Sequence, residues 1–149
     1  MRAKLLLLTI VMMFYGIARA DVQSENSCYF YTPRPDDRIK PIHFALRTYF
    51  DTDLKKEVGA FVQYNNSKAI IPLVYFKYVP TDTDDPGLGN YEIYRLEIVG
   101  KKITGEYMFA QTGAGNQQGK YVRYTNFRTG EKISLQYTSG DEPDCKIVN

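Results

Sequence analysis

The chain is predicted to be an all-β protein of about eight antiparallel strands, arranged as an up-and-down barrel or as a sandwich. Apolar and polar residues alternate with period two along most of the sequence, and short turn-forming clusters separate the alternating segments. No stretch of eleven or more residues carries an apolar stripe of helical period. Aromatic residues, which β-sheets favour, make up 14% of the 149 positions.

The N-terminal twenty residues predict a secretory signal peptide. Two bases precede an apolar run at residues 5–15, and Ala18-Arg19-Ala20 forms an A-x-A cleavage motif. The run is too short to cross about 30 Å of hydrocarbon, which disfavours the alternative of a membrane anchor, and no later segment reads as a membrane span. We therefore expect one exported β domain, residues 21–149, that is periplasmic or secreted after cleavage near Ala20.

Removal of this segment reverses the net charge. The whole chain has 19 bases and 17 acids, a net charge of +2. Residues 1–20 contain three bases and no acid, so residues 21–149 hold 19 − 3 = 16 bases against 17 acids, a net charge of −1. The exported domain thus lacks the basic surface that would attract nucleic acid or an anionic membrane.

The two cysteines lie near the two ends of the predicted domain. Cys28 and Cys145 are 117 positions apart, which is far from the spacing of a redox pair. Export would place them in an oxidising compartment, where an even pair usually forms a disulfide. We expect a Cys28–Cys145 bond that ties the chain ends together.

Four strands are predicted before residue 80. In the second of them Ile42, Phe44 and Leu46 alternate with more polar neighbours, which is typical of a sheet with one buried face. Pro72 cannot donate a ladder hydrogen bond, so an edge or a bulge is expected there. Turn-forming clusters at residues 51–53 and 65–67 separate the strands, and the second matches an N-glycosylation acceptor at Asn65. The predicted strands are 28–31, 42–50, 57–64 and 69–79.

Four more strands follow a break at residues 80–90 that is rich in Asp, Pro and Gly. A tight turn is expected at Gly100-Lys101 and a hairpin turn at 128–130. Gly105 stands two residues before a tyrosine, as Gly119 does, which indicates either hairpin geometry or a ring that covers bare backbone. The predicted strands are 94–98, 103–109, 120–127 and 133–137, with a Gly- and Gln-rich loop at 112–119.

Residues suited to catalysis or metal binding are few. His43 is the single histidine and lies on the polar phase of its strand, so a partly exposed structural role is expected. The acidic segment 82–87 lacks the ligand spacing of a calcium loop. Glu92, Glu97 and Glu106 offer paired carboxylates, but strand carboxylates usually face solvent. We expect a non-enzymatic protein without metal or cofactor, and an enzyme remains the third alternative.

Protein binding is the preferred hypothesis. Tyr121 and Arg123 would share one face of a strand, and both residue types are enriched at interface anchors. The two long polar loops add Asn116, Gln117, Asp84 and Asp85 as candidate contacts. The partner expected is a protein of the cell envelope or the exterior, engaged by an inhibitor or immunity-type factor.

The layout is similar to that of small periplasmic lysozyme inhibitors, which are also compact, disulfide-tied β proteins. Segment 137–141 is the stretch compared with their loops, and no family is assigned from it. The resemblance implies an exported inhibitor that binds a protein.

A lipocalin-like carrier of a small apolar ligand is the alternative, because an eight-stranded barrel can enclose one ligand or be filled by side chains. Phe44, Phe50, Phe76 and Phe109 are expected to point inward, which favours filling.

Overall fold

The computed structural model describes residues 21–33, 40–65, 67–81, 90–113 and 119–138. Within them, each strand pairs antiparallel with the next along the chain, and β1 pairs with β8 to close a barrel. The predicted eight-stranded meander is confirmed, and it closes as a barrel. The strands are β1 (Val22–Tyr31), β2 (Ile42–Asp51), β3 (Lys56–Tyr64), β4 (Ile70–Pro80), β5 (Tyr91–Val99), β6 (Lys102–Thr112), β7 (Gly119–Asn126) and β8 (Lys132–Thr138).

β1 is longer than the sequence indicates. It begins at Val22 and pairs with β2 over its whole length, from Val22 opposite Asp51 to Tyr31 opposite Ile42. Residues 22–26 are exposed, so no apolar alternation marks them in the sequence. Pairing with β2 therefore extends a strand that hydrophobic periodicity alone does not reveal.

The interior is filled largely by aromatic and aliphatic side chains. The rings of Tyr29 and Phe44 lie 5.4 Å apart, and those of Tyr107 and Phe109 lie 6.0 Å apart. The middle of the barrel is thus filled by packed side chains and does not enclose a large central ligand cavity among the described residues. The buried cluster comprises Tyr29, Phe44, Leu46, Ala60, Val62, Leu73, Tyr107, Phe109, Val122 and Leu135.

Two of the four phenylalanines expected to point inward do not fill the interior. Phe44 and Phe109 are buried, whereas Phe50 is 43% exposed and Phe76 is 54% exposed. The β4–β5 ladder skips Phe76, and this unpaired residue changes the direction of the β4 side chains beyond it. Phe50 keeps the phase of Phe44 and Leu46 along β2, but it lies next to the end of that strand and lines two open cavities.

The β3–β4 ladder is short, with four residue pairs among the described residues, although the β1–β8 ladder has three. Among the described residues, pairing runs only from Ala60 opposite Leu73 to Gln63 opposite Ile70. Pro72 lies inside this ladder, opposite Phe61, and the unpaired bulge residue of β4, Phe76, comes four residues later. The edge or bulge expected at Pro72 is therefore not found at that residue, because Pro72 is paired with β3.

The turn between β5 and β6 forms as predicted. Gly100 and Lys101 both have positive φ, 56° and 66°, as a two-residue hairpin of the primed class requires. A glycine accepts this conformation without strain, which explains its place at the turn.

Gly105 leaves room for an aromatic ring. A Cβ at this position would lie 2.6 Å from Cε2 of Tyr124 and 2.9 Å from the carbonyl oxygen of Thr125. Gly105 is therefore a position where a ring, that of Tyr124, covers bare backbone. This was one of the two interpretations that the sequence left open.

We expect Gly105→Ala to destabilise the protein by about 1–3 kcal/mol, because the added methyl must displace the ring or the neighbouring backbone. Urea unfolding followed by circular dichroism measures the change. Gly119→Ala is a milder comparison, since its Cβ would meet only the Oγ1 of Thr112, at 3.0 Å, and more distant atoms. Equal stabilities of the Gly105→Ala variant and the wild type would contradict the prediction.

Candidate functional site

The short β3–β4 ladder leaves an opening in the barrel wall. Beyond Ala60 and Leu73, no pairing joins the described parts of β3 and β4, so Lys56–Gly59 and Val74–Pro80 face each other unpaired. β3 remains bonded to β2 on its other side, and β4 to β5. We call this gap the β3–β4 opening. It holds a cavity of about 570 Å³ lined by Phe50, Lys55, Lys56, Glu57, Tyr75, Tyr78 and Ile93.

An ion pair crosses the inner side of the opening. Glu57 of β3 accepts two hydrogen bonds from Arg95 of β5, from Nε at 2.9 Å and from the terminal nitrogen at 2.5 Å. Arg95 is 4% exposed, and its guanidinium carbon lies 4.8 Å from the ring centroid of Phe109. The pair thus joins β3 to β5 where the backbone ladder to β4 has ended.

Exposed apolar side chains lie on the strand segments that border the opening, and three of them, Phe50, Tyr75 and Tyr78, line its cavity. The two unpaired bulge residues, Val58 in β3 and Phe76 in β4, are each about half exposed. Contiguous exposed apolar groups on a soluble protein mark interaction sites more often than isolated ones do. The group comprises Phe50, Val58, Val74, Tyr75, Phe76 and Tyr78.

Two further cavities adjoin the opening. Ile93 lines all three cavities, and Arg95 lines the two that adjoin the opening. The smallest measures about 120 Å³ and is bordered by polar groups that include Glu25, Tyr91 and Lys120. A space of this size admits a few atoms of a ligand or side chain, not a drug-sized molecule.

A second polar centre occupies the opposite half of the interior. Glu97 is 6% exposed and accepts hydrogen bonds from Thr104 (2.6 Å), Tyr107 (3.1 Å) and Tyr124 (3.2 Å). The hydroxyls of Tyr107 and Tyr64 share a further hydrogen bond of 2.7 Å. Thr104 is the unpaired residue of the β5–β6 bulge, which explains how its hydroxyl reaches the carboxylate.

The tyrosines of this cluster remain protonated at neutral pH. Burial raises the pKa of Tyr107 well above its usual range, and the neighbouring Tyr64 and Glu97 raise it further. Burial, followed by the charge of Glu97, also raises the pKa of Tyr124. Their hydroxyls therefore serve as donors to the buried side chain of Glu97.

We expect Tyr107→Phe to cost about 1.5–3 kcal/mol, because it removes a donor to a buried charged acceptor. Tyr94→Phe is the matched control. It also removes a tyrosine–glutamate hydrogen bond, of Tyr94 with Glu92, and is expected to cost under about 1 kcal/mol because this pair is only partly buried. Urea unfolding of both variants measures the difference, and equal losses would contradict it.

Tyr121 and Arg123 lie on the outer face of β7, since their neighbour Val122 is buried inside. They share one face, as expected, but β7 is across the barrel from β3 and β4. Asn116, Gln117, Asp84, Asp85 and Cys145 lie outside the described residues, as does the acidic segment 82–87. Cys28 is 2% exposed. Of the predicted contact residues, the structure thus describes Tyr121 and Arg123, and it places both away from the β3–β4 opening.

Glu97 corrects the expectation that the strand carboxylates face solvent. It points inward, whereas Glu92 and Glu106 lie on the opposite phase of their strands and are half-buried. His43 is also half-buried, with its ring centroid 6.2 Å from that of Phe30. Within the described ranges no group of three His, Cys, Asp or Glu side chains could hold a metal ion.

The described residues define an eight-stranded up-and-down barrel with a packed aromatic core and a lateral opening between β3 and β4. No family model, curated protein or solved structure matches this chain. Among the residues that the structure describes, no helix has the length and apolar character needed to cross a bilayer.

Proposed function

We propose that the chain is an exported, non-enzymatic binding protein that engages a protein partner through the β3–β4 opening, as an inhibitor or immunity-type factor. The observation that carries the proposal is the coincidence of an interrupted ladder with a cluster of half-exposed apolar side chains. Such patches on soluble proteins serve interaction far more often than they serve stability.

The composition of the rim supports a protein as the partner. Tyr75 and Tyr78 are about half exposed, and tyrosine is enriched at the centres of protein interfaces. The Glu57–Arg95 pair holds the inner side of the opening and limits its movement, so little ordering is needed on binding.

A lipocalin-like carrier receives less support. The middle of the barrel is occupied by the rings of Tyr29, Phe44, Tyr107 and Phe109. Native mass spectrometry of the purified protein distinguishes the two functions, because a carrier would retain or take up a small apolar ligand.

Export and the disulfide belong to the same proposal. Cleavage near Ala20 leaves β1 to begin close to the new N terminus, at Val22. The buried position of Cys28 suits a structural sulfur, and we propose that it pairs with Cys145 after export to the periplasm or the exterior.

We expect Phe76→Glu to reduce capture of the partner by about tenfold or more, because a charge replaces an apolar contact at the rim. The exported form, residues 21–149, serves as bait for envelope and extracellular fractions, and captured proteins are quantified by mass spectrometry. Since Phe76 is 54% exposed, the change should leave the stability within about 0.5 kcal/mol.

Phe127→Glu is the matched control, because Phe127 is 51% exposed and lies beyond the end of β7, away from the opening. The proposal requires that Phe127→Glu retain the captured protein that Phe76→Glu loses. Capture that is equal for both variants and the wild type would place the binding surface elsewhere.

A further inference from the structure

We propose that the partner contributes an extended, acidic segment that adds as a strand to the free edge of β4 in the β3–β4 opening. This inference rests on the proposed function and specifies how the partner is held. Strand addition is a recurring mode of peptide recognition in which backbone hydrogen bonds supply affinity and side-chain pockets supply selectivity.

The free edge of β4 is long enough for such pairing. Val74–Pro80 is bonded to β5 on one side and, within the described chain, has no ladder on the side that faces β3. Lys56–Gly59 presents a second unpaired edge across the opening. An exposed edge is a template for pairing with another chain, and barrels usually abolish such edges by closure.

The side chains beside this edge suit alternate residues of an added strand. Tyr75 and Tyr78 line the cavity of the opening, whereas Phe76 lies beside it as the bulge residue. A bound strand places successive side chains on opposite faces, so apolar residues at alternate positions would contact these rings.

Charge selects an acidic segment. Lys55 and Lys56 line the opening and are exposed. Glu57, the acid among the described lining residues, is already paired with Arg95. Because the same lysines would face each other across a dimer built on these edges, the charges disfavour a second copy and favour a negatively charged partner strand.

The test uses three capped seven-residue peptides with the protein of residues 21–149. The probe alternates glutamate with valine, a second peptide carries lysine in place of glutamate, and a third is the glutamate peptide N-methylated at alternate residues. We expect the probe to bind with a Kd of about 100 μM and to shift the amide resonances of Val74–Val79 in a nitrogen–proton correlation spectrum. The lysine and N-methylated peptides should each bind about tenfold more weakly or not at all.

Three results would overturn the inference: no binding of the glutamate peptide, equal binding of the N-methylated peptide, or resonance shifts confined to strands other than β3 and β4. If any of these results is found while Phe76→Glu still loses the captured protein, strand addition is wrong and the proposed function stands. If Phe76→Glu captures the partner as well as the wild type does, the proposed function is wrong, irrespective of the peptide results.

Discussion

Replacing Glu57 by alanine is expected to destabilise the barrel by about 3–5 kcal/mol, one of the largest losses for a single substitution in this chain. The substitution leaves the guanidinium of Arg95, which is almost wholly buried, without the carboxylate that accepts two of its hydrogen bonds. It also removes the side-chain link between β3 and β5 at the place where the backbone ladder is interrupted. Urea unfolding followed by circular dichroism measures the loss.

A double variant separates the loss of the pair from the loss of one partner. Arg95→Met combined with Glu57→Leu removes both charges, and we expect it to recover most of the stability that Glu57→Ala loses. Glu131→Ala, at an exposed position, is the control and should change the stability by no more than about 0.5 kcal/mol. A loss under about 1 kcal/mol for Glu57→Ala would mean that Arg95 finds another partner or water.

Loss of the proposed disulfide is expected to have a comparable effect. Replacing Cys28 and Cys145 by serine should lower the free energy of unfolding by about 4–5 kcal/mol, because the bond would close a loop of more than a hundred residues in the unfolded chain. Reduced wild-type protein is the control, since it loses the bond but keeps both sulfur atoms. A loss seen only with serine would reflect the polar group at the buried Cys28 site instead.

The redox state of the two sulfurs can be read directly. The exported protein, unfolded without reductant, should resist alkylation at both cysteines and have an intact mass two hydrogen atoms below that of the reduced form. Alkylation of both thiols under these conditions would show that the bond is absent.

Period-two alternation was sufficient to predict the eight strands and their order, because most of them have one buried face. It failed where the register changes. Val58 and Phe76 are bulge residues, and a bulge inserts one residue without changing composition or apparent periodicity. The inward position predicted for Phe76 was wrong for this reason, whereas Phe50 keeps the inward phase of β2 and is 43% exposed next to the end of that strand.

The two polar centres could not be predicted because they depend on closure of the barrel. Glu57 and Arg95 are 38 positions apart, and Tyr124 lies 27 positions from Glu97. In the sequence each is an ordinary polar residue on a strand. Pro72 does not mark the opening either, because it is paired inside the ladder, which ends beyond it at Leu73. Binding through Tyr121 and Arg123 stays a prediction.

Amide hydrogen exchange on the complex with the captured partner tests the central claim most directly. The exchange of residues 56–59 and 74–80 should slow on binding, because their unpaired edges become covered or hydrogen-bonded. Residues 132–138 of β8 serve as the internal reference and should change little. Slowed exchange confined to 119–126, where Tyr121 and Arg123 lie, with no change in β3 and β4, would contradict the claim that the β3–β4 opening is the binding site.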